Sequence, residues 1–306
     1  MQKIRTNLIY PIFIQHQGCP FRCIFCNQFK STNGTNGVSP FIDSTNGVSP
    51  FIDDIKRRDA VCTDEKQRDA VCTFIQKNKT QPKEIAFYGG SFTCLSQDKI
   101  IQYFDMYVPI MDEFTYFRLS TRPDAISEEI LKILKQYKVN TIELGIQSFD
   151  DKVLMVSRRG YSSKVAIDAC KMVLNYGFNL SIQFLIGLPE EDLDSIKVNI
   201  EILRDITPDY VRLYPLLVIK DTELEEVYKK GNYQPLSLDE AVDRCRLYLD
   251  NCIKNDIKVI KIGLHSDIPK ENIIAGPFHD RFGELVRNNR SGDLRSPSYR
   301  RRPAVD

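Results

Sequence analysis

The sequence predicts an α/β protein, a partial (β/α)6 TIM-like barrel with a small C-terminal extension. Three observations predict it. Apolar strand-like runs alternate with helical periods along most of the 306 residues, the pattern of parallel βαβ units. Six such units suffice for a partial barrel, whose chemistry lies in the loops after the strands. A loop with three cysteines directly follows the first apolar run, where such a barrel keeps its reactive groups.

The strand candidates are Asn7–Gln15, Glu84–Tyr88, Tyr116–Ser120, Thr141–Ile146, Asn179–Ile186 and Tyr210–Leu217. Helical periods fall near 96–111, 125–138, 162–177, 190–206 and 237–255. Ser127-Glu128-Glu129 and Ser237-Leu238-Asp239-Glu240 read as helix starts, each with a serine cap and acids in the first turn. Gly177 reads as the C-cap of the 162–176 helix. The barrel is assigned to 1–218 and a helical and strand extension to 219–286. Within the barrel, 31–73 is a duplicated loop insertion. Thr35–Asp43 recurs unchanged as Thr45–Asp53, and Arg58–Thr63 recurs as Arg68–Thr73. The repeat is too short and has too few copies for a solenoid. A local duplication accounts for it, and Cys62 and Cys72 are then copies rather than a second metal site. Arg287–Asp306 carries six arginines and two acids and reads as a disordered basic tail.

Charge is balanced, 42 basic against 41 acidic residues, so nothing global indicates nucleic acid or an anionic membrane. No apolar run reaches the roughly 18 residues that span a bilayer, and the N-terminus lacks a signal-peptide pattern. No membrane partner is expected. Nine cysteines without a secretory signal point to a reducing cytoplasm, where clustered thiols serve metals more often than disulfides.

Cys19, Cys23 and Cys26 follow the spacing C-x3-C-x2-C. Three thiolates in one tight loop can hold three irons of a [4Fe–4S] cluster and leave the fourth open. An open iron can take the amine and carboxylate of S-adenosylmethionine. The alternative, structural zinc, normally wants four ligands, and no fourth cysteine or histidine lies close downstream. His16 can line the site or ligate. Phe25 can pack beside the cluster and near an adenine ring.

Tyr88-Gly89-Gly90-Ser91-Phe92-Thr93 follows the second strand. Its glycines allow close backbone approach, and its carbonyls can accept from an ammonium group. In Ser120-Thr121-Arg122-Pro123-Asp124, proline disfavours helix at Arg122. Arg122 can pair with a carboxylate or simply with Asp124. In Glu143-Leu144-Gly145-Ile146-Gln147-Ser148, alternation puts Glu143, Gly145 and Gln147 on one face, and buried Glu and Gln need partners. The strand is read as running on to Asp150, ahead of Arg158-Arg159-Gly160-Tyr161. An arginine there can meet a cofactor carboxylate or remain a solvated loop charge. Gln183 stands in an otherwise apolar strand, able to bond ribose hydroxyls or to be a satisfied core residue. Tyr214 either faces a substrate chamber or closes the barrel.

Taken in order, the cysteine loop, Tyr-Gly-Gly-Ser-Phe-Thr, Thr-Arg-Pro-Asp, Glu-Leu-Gly-Ile-Gln-Ser, Gln-Phe-Leu-Ile-Gly-Leu-Pro and Leu-Tyr-Pro-Leu-Leu-Val-Ile-Lys-Asp-Thr resemble the radical SAM domain of the Elongator catalytic subunit. They also resemble the group containing oxygen-independent coproporphyrinogen III oxidase. The resemblance covers about residues 7–285 apart from 31–73, and Ile273–His279 is similar to the C-terminal region of short Elongator-like proteins. It implies a barrel of the radical SAM type in which Cys19, Cys23 and Cys26 hold the cluster. Gly89, Gly90 and Ser91 would meet the methionine end of the cofactor, Gln147 and Gln183 ribose or nearby atoms, and Arg159 the carboxylate. The implied reaction is reductive cleavage of S-adenosylmethionine to a 5′-deoxyadenosyl radical that takes hydrogen from a substrate. Its electron would come from a flavodoxin- or ferredoxin-type donor. The Elongator subunit carries an acetyltransferase domain after its radical domain, and none is expected in this chain, so the substrate is open between tRNA and a small molecule. The other reading is an iron–sulfur or haem-binding chaperone or electron-transfer module without turnover.

Overall fold

The computed structural model describes residues 7–14, 19, 22–26, 64–264 and 269–288. His16, Cys62, the insertion up to residue 63 and the tail from residue 289 lie outside the described residues. In chain order the elements are β1 (Leu8–Phe13), α1 (Asp64–Lys77), β2 (Lys83–Tyr88), α2 (Gln97–Tyr107), β3 (Thr115–Thr121), α3 (Glu128–Gln136) and β4 (Val139–Gln147). There follow α4 (Asp151–Val156), α5 (Ser163–Asn175), β5 (Asn179–Ile186), α6 (Leu193–Ile206), β6 (Tyr210–Pro215) and β7 (Val218–Ile219). The chain continues with α7 (Glu223–Lys229), α8 (Leu238–Lys254), β8 (Lys258–Ile262), β9 (Ile273–Ala275) and α9 (Phe282–Asn288). Seven strands form one sheet in the order β1-β2-β3-β4-β5-β6-β8. The registers of β1 with β2, β2 with β3, β3 with β4 and β6 with β8 are parallel. This is the strand order of a partial (β/α)6 TIM-like barrel with β8 added at its edge. β7 and β9 pair separately and antiparallel.

Three readings change. Residues 64–73, assigned to the duplicated loop, belong to α1, which buries Val71, Phe74 and Ile75. β4 does not run on to Asp150. It ends at Gln147, whose φ of +70° turns the chain, and Asp150 then caps α4 by accepting from Lys152 N at 2.8 Å. β8 comes from the stretch read as an extension, yet it joins the main sheet through β6. The caps at Ser127 and Ser237 stand as expected, the second as a full capping box with Glu240. Gly177 follows α5 with φ +73°, its N–H bonded to Leu174 O at 2.8 Å.

The chain forms two compact units whose segments interleave. The first comprises 1–20, 28–145 and 168–181, the second 21–27, 146–167 and 182–306. In the first unit every residue of β2 is buried, as parallel strands covered on both faces require. Ile85 and Phe87 take one face. Phe87 stacks on Phe92 and Phe117 at 4.7 and 5.7 Å between ring centroids, and α2 adds Phe104 and Tyr107, three residues apart on its inner face. Glu84 and Tyr88 take the other face and are polar. Arg118 on β3 answers them, donating Nη1 to Glu84 at 2.9 Å and Nε to Glu143. Tyr88 Oη donates to Glu143 at 2.7 Å, and Thr141 Oγ1 and Asn140 Nδ2 donate to Glu84 at 2.6 and 3.0 Å. Burial and Glu143 push the Tyr88 phenol up, which keeps it a donor.

In the second unit Ile24 packs with Val153, Leu188, Leu216, Val218 and Leu224. The turn after β5 is gripped by the C-terminal segment. Tyr233 Oη donates to Gly187 O at 2.6 Å, and Leu236 fills the space where a Gly187 Cβ would stand. Glu191 accepts from Gly187 N at 2.8 Å and from Arg244 Nη1 at 3.1 Å. Burial outweighs both donors and pushes the Glu191 carboxyl up to about 7.

Two outcomes follow from this packing. Arg118→Met strands two buried carboxylates, so stability falls by about 3–5 kcal/mol in urea denaturation; a loss under about 1 kcal/mol would show that the cation is dispensable. Glu191→Gln removes a titration while keeping an acceptor for Gly187. The folded pKa is raised from the ordinary 4.5 to about 7, so folding holds the proton longer and wild-type stability falls as pH rises through that window. The stability of Glu191→Gln relative to wild type should therefore climb between pH 4.5 and 7, by about 3 kcal/mol. A flat difference across pH, read from thermal unfolding, would contradict a raised Glu191.

Candidate functional site

The cysteine turn lies in the second unit, apart from Cys19. Ile24 anchors it. Ile24 is buried in the apolar cluster, its N–H donates to Ser157 O at 3.4 Å, and its carbonyl accepts from Leu224 N at 2.8 Å. A residue between two cysteines is thus fixed through both its side chain and its backbone. Cys26 N donates to Cys23 O at 3.1 Å, closing the turn. Cys23 is buried, and Cys19 and Cys26 are half-buried. None of the eight described cysteines is in a disulfide. Among the described residues no three His, Cys, Asp or Glu side chains stand in metal-holding geometry.

Arg159 is 5% exposed and reaches the same turn. Its Nη1 donates to Cys23 Sγ at 3.1 Å, and its Nε and Nη2 donate to Tyr161 Oη at 2.9 and 2.8 Å. Tyr161 Oη in turn donates to Ile146 O at 2.9 Å. The guanidinium carbon stands 5.9 Å from the Phe25 ring centroid and 5.1 Å from that of Tyr161, within cation–π range. Tyr161 and Cys23 beside it hold the Arg159 pKa up. The structure therefore brings Cys23, Phe25 and Arg159 together and adds Tyr161, which the sequence offered only as the end of Arg-Arg-Gly-Tyr.

Gln147 closes β4. It is half-buried, and its Oε1 is buried with no hydrogen-bond partner among the described residues. Its neighbour Ser148 donates to Asn199 Oδ1 at 3.3 Å, which fixes the chain just beyond it. Gln183 is half-buried on β5, on the face of Ser181 and Leu185. On β6, Arg212 Nη1 donates to Tyr214 Oη at 3.2 Å.

The first unit carries the remaining sequence candidates. Gly89 has φ +94°, and a Cβ there would stand 2.7 Å from Ile14 O. Ile14 N donates to Tyr88 O at 2.9 Å. The glycine is thus demanded by the close approach of the chain after β1, in addition to any need for a bare backbone facing a ligand. Gly90 is half-buried and Ser91 buried. Arg122 is buried and forms a two-pronged pair with Asp124, both contacts 2.9 Å. The local pair that the sequence left open is the one that forms. Cys94, not singled out from the sequence, lies one turn beyond Ser91. Burial pushes its thiol up, Ser91 hydrogen-bonds it, and Cys19, Asp124 and Arg122 lie in electrostatic range. Its place at the end of Tyr-Gly-Gly-Ser-Phe-Thr-Cys was the available signal.

Residues 14–203 match the radical SAM superfamily, and residues 208–291 match the radical SAM C-terminal domain. The chain is 30% identical over 171 residues to a tRNA uridine(34) acetyltransferase from Methanocaldococcus infernus, covering 55% of this chain and 32% of that protein. It is 28% identical over 153 residues to the heme chaperone HemW of Bacillus subtilis, covering 49% of this chain and 40% of that one. The chain therefore spans less than half the length of these two relatives. In fold it is similar to the archaeal Methanocaldococcus infernus Elp3 with an N-terminal deletion, at a TM-score of 0.61 and 23% identity, covering 73% of this chain and 57% of that one. With the superfamily match extending over more than half its length, the chain belongs to the radical SAM superfamily.

Proposed function

We propose that Cys19, Cys23 and Cys26 hold the cluster and that Gly89, Gly90, Ser91, Gln147, Arg159 and Gln183 seat S-adenosylmethionine. All nine fall within the matched residues 14–203. One observation carries the reading, the buried and unpartnered side-chain carbonyl of Gln147. A buried acceptor without a donor is costly, and a ribose hydroxyl supplies the donor. The donor set of the turn also fits, since soft thiols suit an iron–sulfur cluster and Arg159 places a cationic N–H on one of them. Cluster and cofactor together supply a one-electron cleavage of the sulfonium and the hydrogen-atom abstraction that follows. The residues of this chain do the rest. Ile24 and the Ser157 and Leu224 backbone hold the cysteine turn, Gly89 and Gly90 present carbonyls to an ammonium group, and Phe25 offers a ring face. Arg122, whose Nε and Nη2 pair with Asp124, is the further candidate for the cofactor.

For the substrate we favour tRNA over a small molecule, because the relative matched at 30% identity is named for tRNA uridine(34). The electron donor is of flavodoxin or ferredoxin type, and the compartment is the cytoplasm. No helix among the described residues is long and apolar enough to cross a membrane. The HemW match keeps one second reading in play, a haem- or cluster-binding chaperone without turnover.

The test is anaerobic reconstitution followed by dithionite, S-adenosylmethionine and bulk tRNA. Iron near about four per chain and 5′-deoxyadenosine that disappears in Cys26→Ala are expected, with product rising when tRNA is added. Full iron without cofactor cleavage, together with stoichiometric haem uptake, would replace the enzyme reading with the chaperone. Unchanged product on adding tRNA would turn the substrate toward small molecules.

A further inference from the structure

The geometry points to Arg159 as a hydrogen-bond donor to the Cys23 sulfur of the assembled cluster, a positioning residue through which the protein raises the cluster's reduction potential. This rests on the cluster assignment above and is separate from the carboxylate contact that the resemblance implies. The contact is built rather than incidental. Arg159 N bonds to Leu154 O at 3.0 Å, and Arg158, with φ +53°, turns the chain just before it. The adjacent Ser157 carbonyl receives the Ile24 N–H. One loop, 157–161, therefore holds the cysteine turn by its backbone and touches its sulfur by a side chain.

Tyr161 fixes the aim. It accepts from Nε and Nη2, donates to Ile146 O at the end of β4, and so leaves Nη1 directed at Cys23 Sγ. The Phe25 ring lies against the guanidinium within the same turn. A planar fork held at three points loses little freedom in making each bond. Hydrogen bonds to the sulfurs of an iron–sulfur cluster, together with nearby charge, set its potential. A cationic N–H on a ligating sulfur stabilises the more negative, reduced state. The effect falls on the cluster itself and should be present before any cofactor binds.

The experiment is a redox titration of the reconstituted protein without S-adenosylmethionine, followed by the EPR signal of the reduced cluster. Arg159→Gln should make reduction about tenfold less favourable, a shift of about 59 mV to lower potential for one electron. Arg159→Lys, which keeps the charge but loses the fork, should fall between it and wild type. Tyr161→Phe, which loosens the aim but keeps the charge, should move the potential in the same direction by less. Arg159→Gln with full iron and an unmoved potential would overturn the role. If Arg159→Gln does not retain iron, Tyr161→Phe decides, and a wild-type potential there overturns it too. A wild-type protein that assembles no cluster removes the proposed function instead, which separates the two failures.

Discussion

The first unit is organised around a cation that cannot leave. Arg118 is buried on β3 between carboxylates from β2 and β4. Each carboxylate would be expensive to bury alone, so the three strands can pack polar inner faces only in the register that delivers Arg118 to both. That register sets Tyr88 as well. Its phenol ends on Glu143, and its carbonyl receives the Ile14 N–H. The residue just before the Gly89-Gly90 pair is held from its side chain and its backbone together. Directly past it the chain needs φ +94° and has no room for a Cβ. The backbone of the Gly89-Gly90 pair thus inherits its position from a buried ion network three strands wide.

The second unit solves a different problem. A short turn carrying thiols has no secondary structure of its own to hold it in place. Here the apolar residue inside the cysteine motif joins a core built from α4, the turn after β5, the end of β6, β7 and α7. Ile24 immobilises its neighbours at the cost of no polar group. Arg159 then reaches the turn from a loop tied to the same backbone. The C-terminal segment contributes in the same way to β5. Tyr233, Leu236 and Arg244 close on Gly187 and Glu191, so the strand that carries Gln183 ends in a turn fixed by residues about 50 positions later.

Much of this was legible in the sequence, because it depends on neighbours. Ser127 and Ser237 start helices and Gly177 ends one through local bonds, and the six apolar runs overlap β1 to β6 with ends displaced by a residue or two. What escaped was short or non-local. α4 has six residues, too few to show a period, and follows directly on the stretch read as strand. β8, Lys-Val-Ile-Lys-Ile, is five residues long without strict alternation, and only its pairing with β6 brings it into the main sheet. α1 was hidden because the copied Arg68–Thr73 segment drew attention to its identity rather than its period. The Arg118 pairing joins residues 34 and 25 positions apart and exists only through strand register, which no local pattern encodes. The Arg159 contact spans 136 positions.

That last separation explains why Arg159 reads ambiguously in sequence and specifically in space. An arginine in a loop of two arginines and a glycine has no evident partner, and a solvated charge is the default expectation. Tyr161 changes the outcome by accepting hydrogen bonds from two of its N–H groups and donating its own hydroxyl to Ile146 O at the end of β4. The guanidinium is then desolvated, and its Nη1 donates to the Cys23 sulfur. The same logic joins the two units' designs. In each, a buried arginine is held by more than one acceptor: Arg118 by Glu84 and Glu143, the latter also taking the Tyr88 hydroxyl, and Arg159 by Tyr161 and Cys23.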